Sequence, residues 1–191
     1  MRGREQFSKY KKCIMCIVKI YTCLPLKMRL YLFELHRNTR GKIGIGIRYA
    51  LLKSIASDCG DNVAIYPGAY ILNPQYLKIG NNVSIHPMCY LECGKKEGDL
   101  IIENDVSIAH GTTIMSTSHV FTDKFKCIKD QGIIVAPVKI NSDVWIGAKV
   151  TILSGVTIES GVVIGANSVV TKSINDKGIY VGAPARLINK R

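Results

Sequence analysis

A chain of 191 residues is one domain with room for an appendage, long enough to bury a core. Its formal net charge of +12 and sequence pI of about 9.4 point to an acidic partner. Aromatic residues at 7% suit a narrow column of aliphatic side chains. Seven cysteines, an odd number at irregular spacing, exclude a disulfide framework. Cys13-x-x-Cys16 has no second pair, which excludes a zinc finger, so free thiols in a reducing, cytoplasmic setting are expected.

The positive excess sits almost wholly in residues 1–57, where Glu5 and Glu34 are the only anions. Residues 1 to about 38 read as helical. Ile14, Ile17, Val18, Tyr21 and Leu24 keep helical spacing, and Pro25 should end or kink that helix. A second piece, residues 26–36, carries Leu30, Tyr31, Phe33 and Leu35 among basic residues. This basic segment, taken as residues 1–40, has two compatible readings. It covers the open end of whatever follows, or it rests on an anionic membrane surface at the inner face. The apolar run from Cys13 to Leu35 is broken by Lys19, Pro25, Lys27 and Arg29, so it is a poor membrane span. No convincing signal peptide precedes it. Nucleic acid is not expected, because no nucleic-acid fold or stacking motif accompanies the charge.

Ile43, Ile45 and Ile47 alternate with Gly44 and Gly46, which reads as the first strand of the body. From there a period of six takes over. Ile65 and Ile71 share a phase, and Ile79 arrives two residues late, predicting a wider corner at residues 73–76. Ile79, Ile85 and Leu91 resume, residues 94–99 read as a small exposed loop, and Ile102, Ile108 and Ile114 follow. The cleanest run is Ile140, Ile146, Ile152, Ile158, Ile164 and Val170, with Val144, Val150, Val156 and Val162 four residues after the first four. Six matches neither the 3.6 of a helix nor the 2 of a strand. It is the period of a hexapeptide-repeat β-helix, in which each repeat forms one side of a triangular coil and its Ile or Val points inward. The expected fold is an all-β solenoid over residues 41–181 with a tail at 182–191. Cys89 and Cys93 fall near a coil face and read as small buried hydrophobes.

The largest interruption, residues 119–137, is polar in this reading and would be extruded from the solenoid, where function concentrates. His119 stands at its mouth, a general base at neutral pH by its reference pKa. His36 reads as a solvated surface residue. No Gly-x-Ser-x-Gly elbow and no Walker motif is present, so serine nucleophile and phosphoryl-transfer chemistry are not indicated.

Residues from about 60 to 190 resemble the hexapeptide-repeat acetyltransferases, and within them the sugar and polysaccharide O-acetyltransferases. The resemblance is carried by Ser118-His119-Val120-Phe121, Val144-Trp145-Ile146-Gly147-Ala148, Val163-Ile164-Gly165-Ala166-Asn167-Ser168-Val169-Val170-Thr171-Lys172 and Gly182-Ala183-Pro184-Ala185-Arg186. It implies a left-handed parallel β-helix; the general crossover rule alone would favour the right hand. It also implies a homotrimer with active sites between subunits and acetyl-CoA as acyl donor. The catalytic histidine maps to His119, and the backbone N–H that meets the oxyanion maps to Ala148. The CoA contacts map to Ala148, Ala166, Thr171, Lys172 and Arg186, the last two being cations available for the phosphates. His86 falls near an acceptor-binding position, and Trp145 is expected to pack on the CoA side. The basic N-terminal segment does not resemble the helical acceptor domain of the maltose-type enzymes. That favours a bulkier acceptor such as a surface-polysaccharide precursor.

Three other readings stay open. The acceptor could be an antibiotic, serine or an amino-sugar nucleotide. A zinc-dependent carbon dioxide hydratase would need His86, His110 and His119 to converge, and their spacing does not match the close histidine pair of those enzymes, so no metal is expected. A non-catalytic scaffold would bind no CoA.

Overall fold

The computed structural model describes residues 3–96 and 99–191. Its body is a left-handed parallel β-helix of about six turns. The first face stacks Asp58–Cys59, Leu77–Ile79, Leu100–Ile102, Val138–Ile140 and Thr157–Ile158. The second stacks Ala64–Ile65, Ser84–Ile85, Ser107–Ile108, Trp145–Ile146, Val162–Ile164 and Gly178–Val181. The third stacks Tyr70–Leu72, Tyr90–Glu92, Thr113–Ile114, Thr151–Ile152 and Val169–Val170. Register places like on like: Ile65 against Ile85, Ile85 against Ile108, Ile108 against Ile146, and Ile146 against Ile164. These five side chains are fully buried, each worth roughly 1.5–3 kcal/mol of transfer free energy. The valines expected beside the repeat position, Val144, Val150, Val156 and Val162, are buried too.

The passages from first to second face and from second to third are six residues long in every complete turn. Ile65 leads to Ile71, Ile85 to Leu91, Ile108 to Ile114, and Ile146 to Ile152. Every change in length falls between the third and first faces, hereafter the loop edge. There Ile71 leads to Ile79, Leu91 to Ile102, Ile114 to Ile140, and Ile152 to Ile158. The wide corner is a left-handed Asn73 followed by the 3-10 turn Pro74–Tyr76. In the next interruption Gly94 and Asp99 are buried rather than exposed. The Asp99 carboxylate accepts the backbone N–H of Lys95 and Lys96, each at 2.8 Å. Residues 97 and 98 of that loop lie outside the described residues. The edge between first and second faces turns through Asn62, Asn82, Asp105 and Asp143, all at positive φ, a region that short polar side chains tolerate. Asn62 donates to Asn82 and Asn82 to Asp105, both at 3.1 Å.

Three helices precede the coils: α1 (Gly3–Thr22), α2 (Leu26–Leu35) and α3 (Gly41–Ile55). Pro25 stands between the first two as the N-cap of α2, as its fixed φ and missing N–H require; residues 1 and 2 lie outside the described residues. The strand read at residues 43–47 is instead part of α3. A short Ile/Gly alternation is outweighed by the helical burial of Gly44, Arg48, Leu51, Leu52 and Ile55. Gly44 permits this packing, since a Cβ there would lie 2.1 Å from the Thr39 carbonyl oxygen. The solenoid therefore opens at Asp58 rather than at residue 41. Leu51, Leu52 and Ile55 join the same core as Val63, Ile65 and Ile71, so α3 closes the N-terminal end of the column. Arg48 fastens this lid. It is 1% exposed. Its Nε donates to the Ile65 carbonyl at 2.9 Å, and its Nη1 donates to the carbonyls of His36 at 3.0 Å and Thr39 at 2.6 Å. At the other end, Gly178–Val181 and Arg186–Lys190 pair antiparallel. No helix among the described residues is long and apolar enough to cross a membrane.

Candidate active site

His119 ends the strand Thr117–His119, which pairs antiparallel with Ile133–Val135 to form a hairpin thrown out from the loop edge. Its side chain is exposed while its backbone is fixed opposite Ile133. Below it, Thr117 Oγ1 donates to Glu92 Oε1 at 2.7 Å. The hairpin tip is ordered by Gln131. Its Nε2 donates to the carbonyls of Asp123 and Lys126 at 2.8 and 2.9 Å, and its Oε1 accepts the Asp123 N–H at 2.9 Å. The polar character expected of this segment is only half the picture. Phe121, Phe125, Ile128, Ile133 and Ile134 are exposed along it, Phe125 completely.

Thr171 and Lys172 follow Val169–Val170 directly and are exposed at the same loop edge. Ile114, Ile152 and Val170 are stacked in register, so Lys172 sits two ladder steps, about 10 Å, beyond the root of the hairpin.

Ala148 and Ala166 occupy the other edge, between second and third faces, which carries no insertion and is hereafter the closed edge. They are one turn apart, with Asn167 N–H donating to the Ala148 carbonyl at 2.8 Å. His110 precedes them in this column, its carbonyl accepting the Lys149 N–H at 2.9 Å. The flanking amides are used: Gly147 donates to Ile164, Lys149 to His110 and Gly165 to Tyr180. Among the described residues, the N–H groups of Ala148 and Ala166 have no acceptor. Small side chains are needed here, because a Cβ on Gly147 would lie 2.6 Å from the Ala166 nitrogen.

His86 lies at the end of the second face, its ring stacked on Tyr66 with centroids 4.7 Å apart and planes 13° from parallel. Partial burial, reinforced by the neighbouring His110, holds its pKa below the ordinary histidine value. Arg186 opens the last strand opposite Val181 and is exposed, its Nη1 donating to the Ala185 carbonyl at 3.0 Å. Trp145, on the second face, is 55% exposed. It finds no packing seat within one chain.

Arg186 in the last strand apart, the site residues fall into two groups separated by the whole third face, roughly 20 Å of extended chain. His119, Thr171 and Lys172 share the loop edge. His86, Ala148 and Ala166 share the closed edge. One chain does not bring His119 to Ala148, nor His119 to His86 and His110. Sequence reasoning missed Tyr66, and it missed Gln131. A 20-residue offset links Tyr66 to His86, but that offset becomes visible only once the wide corner at Asn73 is counted.

Residues 137–172 match the family model described as bacterial transferase hexapeptide (six repeats). SAR2635 of Staphylococcus aureus, a protein inferred to be an acetyltransferase, is 33% identical over 148 residues, covering 75% of this chain and 69% of that relative. This chain belongs to the hexapeptide-repeat acetyltransferase family. Among other members, Rv3034c of Mycobacterium tuberculosis, also an inferred acetyltransferase, is 44% identical over 93 residues, which cover 49% of this chain and 31% of that protein. The chain thus spans about a third of the length of that relative. Two crystal structures of family members share the fold. Maltose O-acetyltransferase from Clostridium difficile superposes with a TM-score of 0.73 at 29% identity, over 86% of this chain and 84% of that one. VCA0836 from Vibrio cholerae, complexed with acetyl-CoA, superposes with a TM-score of 0.74 at 26% identity, over 86% of each chain.

Proposed function

We propose that this family member transfers an acetyl group from acetyl-CoA to a hydroxyl of a sugar or surface-polysaccharide precursor. His119 is the general base. It takes the proton of the acceptor hydroxyl as that oxygen attacks the thioester carbonyl. The tetrahedral oxyanion receives the N–H of Ala148. Collapse breaks the carbon–sulfur bond, the acetyl ester is formed, and the CoA thiolate leaves with the proton held by His119. Acetyl-CoA lies along the closed edge past Ala148 and Ala166, where Arg186 reaches its polar and phosphate groups, as do Thr171 and Lys172 from the loop edge of a neighbouring subunit. His86 contacts the acceptor. The observation that carries this reading is the unused amide of Ala148, in a fold whose Vibrio cholerae member binds acetyl-CoA.

The division of the site between two edges supports a homotrimer, in which the hairpin edge of one subunit meets the closed edge of the next. The exposed Phe125 and Trp145 are the apolar surfaces such a contact would bury. The protein acts in the cytoplasm, resting peripherally on the inner membrane face. Supporting this, α1 and α2 expose Ile20, Met28, Tyr31 and Leu35 among lysines and arginines.

Calorimetric titration with acetyl-CoA tests the reading. Saturable binding is expected, weakened at least tenfold by Arg186→Glu. His119→Ala should bind acetyl-CoA as the native protein does and lose about 10²–10⁴-fold in kcat toward a sugar acceptor. A folded trimer that binds no acetyl-CoA would overturn it.

A further inference from the structure

The N-terminal helices do more than cover the column. Between α1, α3 and the second face of the first coil lies a cleft of about 460 Å³, within the range of small-molecule sites. Phe7 and Ile14 of α1, Ile45 and Gly46 of α3, and Val63 and Tyr66 of the coil line it. Two cations, Lys9 and Lys42, line it as well and are exposed to solvent. Among the described residues neither has a carboxylate partner. A second cavity of about 480 Å³ shares Asn62, Ala64 and Tyr66 with the first, and its further walls are Arg4, Asn82, Val83 and Ser84; Arg4 is ion-paired with Asp105. An apolar compartment rimmed by two cations therefore adjoins a second one whose walls mix apolar side chains with two asparagines, a serine and the paired Arg4.

Gly46 is the telling residue. Glycine in a helix interior is disfavoured, and Gly44 in the same helix is explained by its contact with Thr39. A Cβ on Gly46 would meet nothing within 4 Å. No close approach demands glycine there, and its missing side chain is part of the cleft's width.

We propose that this cleft binds an anionic amphiphile. A single alkyl or isoprenoid chain lies between α1 and α3, and a phosphate head sits at the rim near Lys9 and Lys42. Charge complementarity selects the head, and the apolar walls select the chain. The head would lie beside Tyr66, which stacks on His86, so the bound molecule is presented on the face that carries the proposed acceptor contact. The binding itself does not depend on the transfer reaction.

The test uses the full chain without acetyl-CoA and alkyl phosphates below their micellar concentration, titrated calorimetrically. Affinity should rise about fourfold per added methylene until the cleft is full. Dodecyltrimethylammonium should not bind. Gly46→Leu places a better helix former in open space, so the variant should fold, keep its acetyl-CoA affinity and bind dodecyl phosphate at least tenfold more weakly. Lys9→Glu with Lys42→Glu should weaken it by a similar factor. Equal binding of dodecyl phosphate by Gly46→Leu, or equal affinity for the cationic detergent, would overturn the proposal. A Gly46→Leu protein with altered oligomeric state in sedimentation would assign the cleft to a subunit contact and overturn it as well.

Discussion

Replacing Arg48 with methionine keeps most of the aliphatic volume and removes every donor. Two carbonyls lose their partner: Ile65 and Thr39. The two other acceptors, the carbonyls of His36 and Arg37, keep the N–H of Thr39 and of Gly68, each at 3.2 Å. Each buried acceptor left unpaired costs roughly 1–3 kcal/mol. Against that stands the relief of no longer burying a cation, whose cost shows in the downward pull of burial on the Arg48 pKa and amounts to several kcal/mol. The balance is a loss of about 1 kcal/mol, with both acceptors at the upper end of that range, concentrated where the helices meet the first coil. Hydrogen exchange would read it directly. Amides of α3 and the first coil should exchange about fivefold faster, while those of residues 157–170 stay unchanged, because coils touch only their neighbours. Arg48→Lys should recover a minor part, since one ammonium cannot fan across three carbonyls. An Arg48→Met protein with native exchange in α3 would refute the clamp.

Met88 holds φ +61° while 70% exposed. Met88→Gly should raise stability by about 0.5–1 kcal/mol, the left-handed strain relieved less the entropy glycine adds to the unfolded chain; a lower melting temperature would contradict this. The depressed His86 pKa means the folded state binds fewer protons than the unfolded state. Stability should therefore be fully present above about pH 6.5 and be lost as pH falls through the lower folded value. His86→Phe, which keeps a ring on Tyr66, should flatten that part of a stability–pH curve, and an unchanged slope would place the titration elsewhere. Burial pushes the Cys59 and Cys93 thiols up to about 12, and Cys89 is raised as well. At pH 8 an alkylating reagent should label the exposed Cys13, Cys16, Cys23 and Cys127 and reach these three only on unfolding. Rapid native labelling of Cys93 would count against its burial.

The solenoid could be read from sequence because a β-helix writes its core as a one-dimensional list. Ile140, Ile146 and Ile152 sit on three different faces, yet all point to the same axis, so one period captures them. The helix α3 was misread because its pattern is carried by two glycines with opposite reasons for being small. Gly44 touches Thr39 and Gly46 touches nothing, and neither reason is visible locally. The hairpin's apolar face was hidden for a related cause. Phe121, Phe125 and Ile133 obey no period, since their partners are not within the chain's own core. His119 could be singled out by its position at an interruption and by family resemblance, whereas its separation from Ala148 by a full face depends on which edge each corner occupies, and that requires register.

All length variation in this solenoid falls on a single edge, and the two other edges keep an unbroken count. The loop edge is therefore a seam at which chain can be added or removed without shifting any stacked isoleucine. Chain length and composition can drift there as an exchangeable cassette, decoupled from the selection that maintains the column. A relative's hairpin spliced between Ser116 and Ala136, whose backbones are joined by a 2.9 Å hydrogen bond, would inherit a rigid socket ready to receive it.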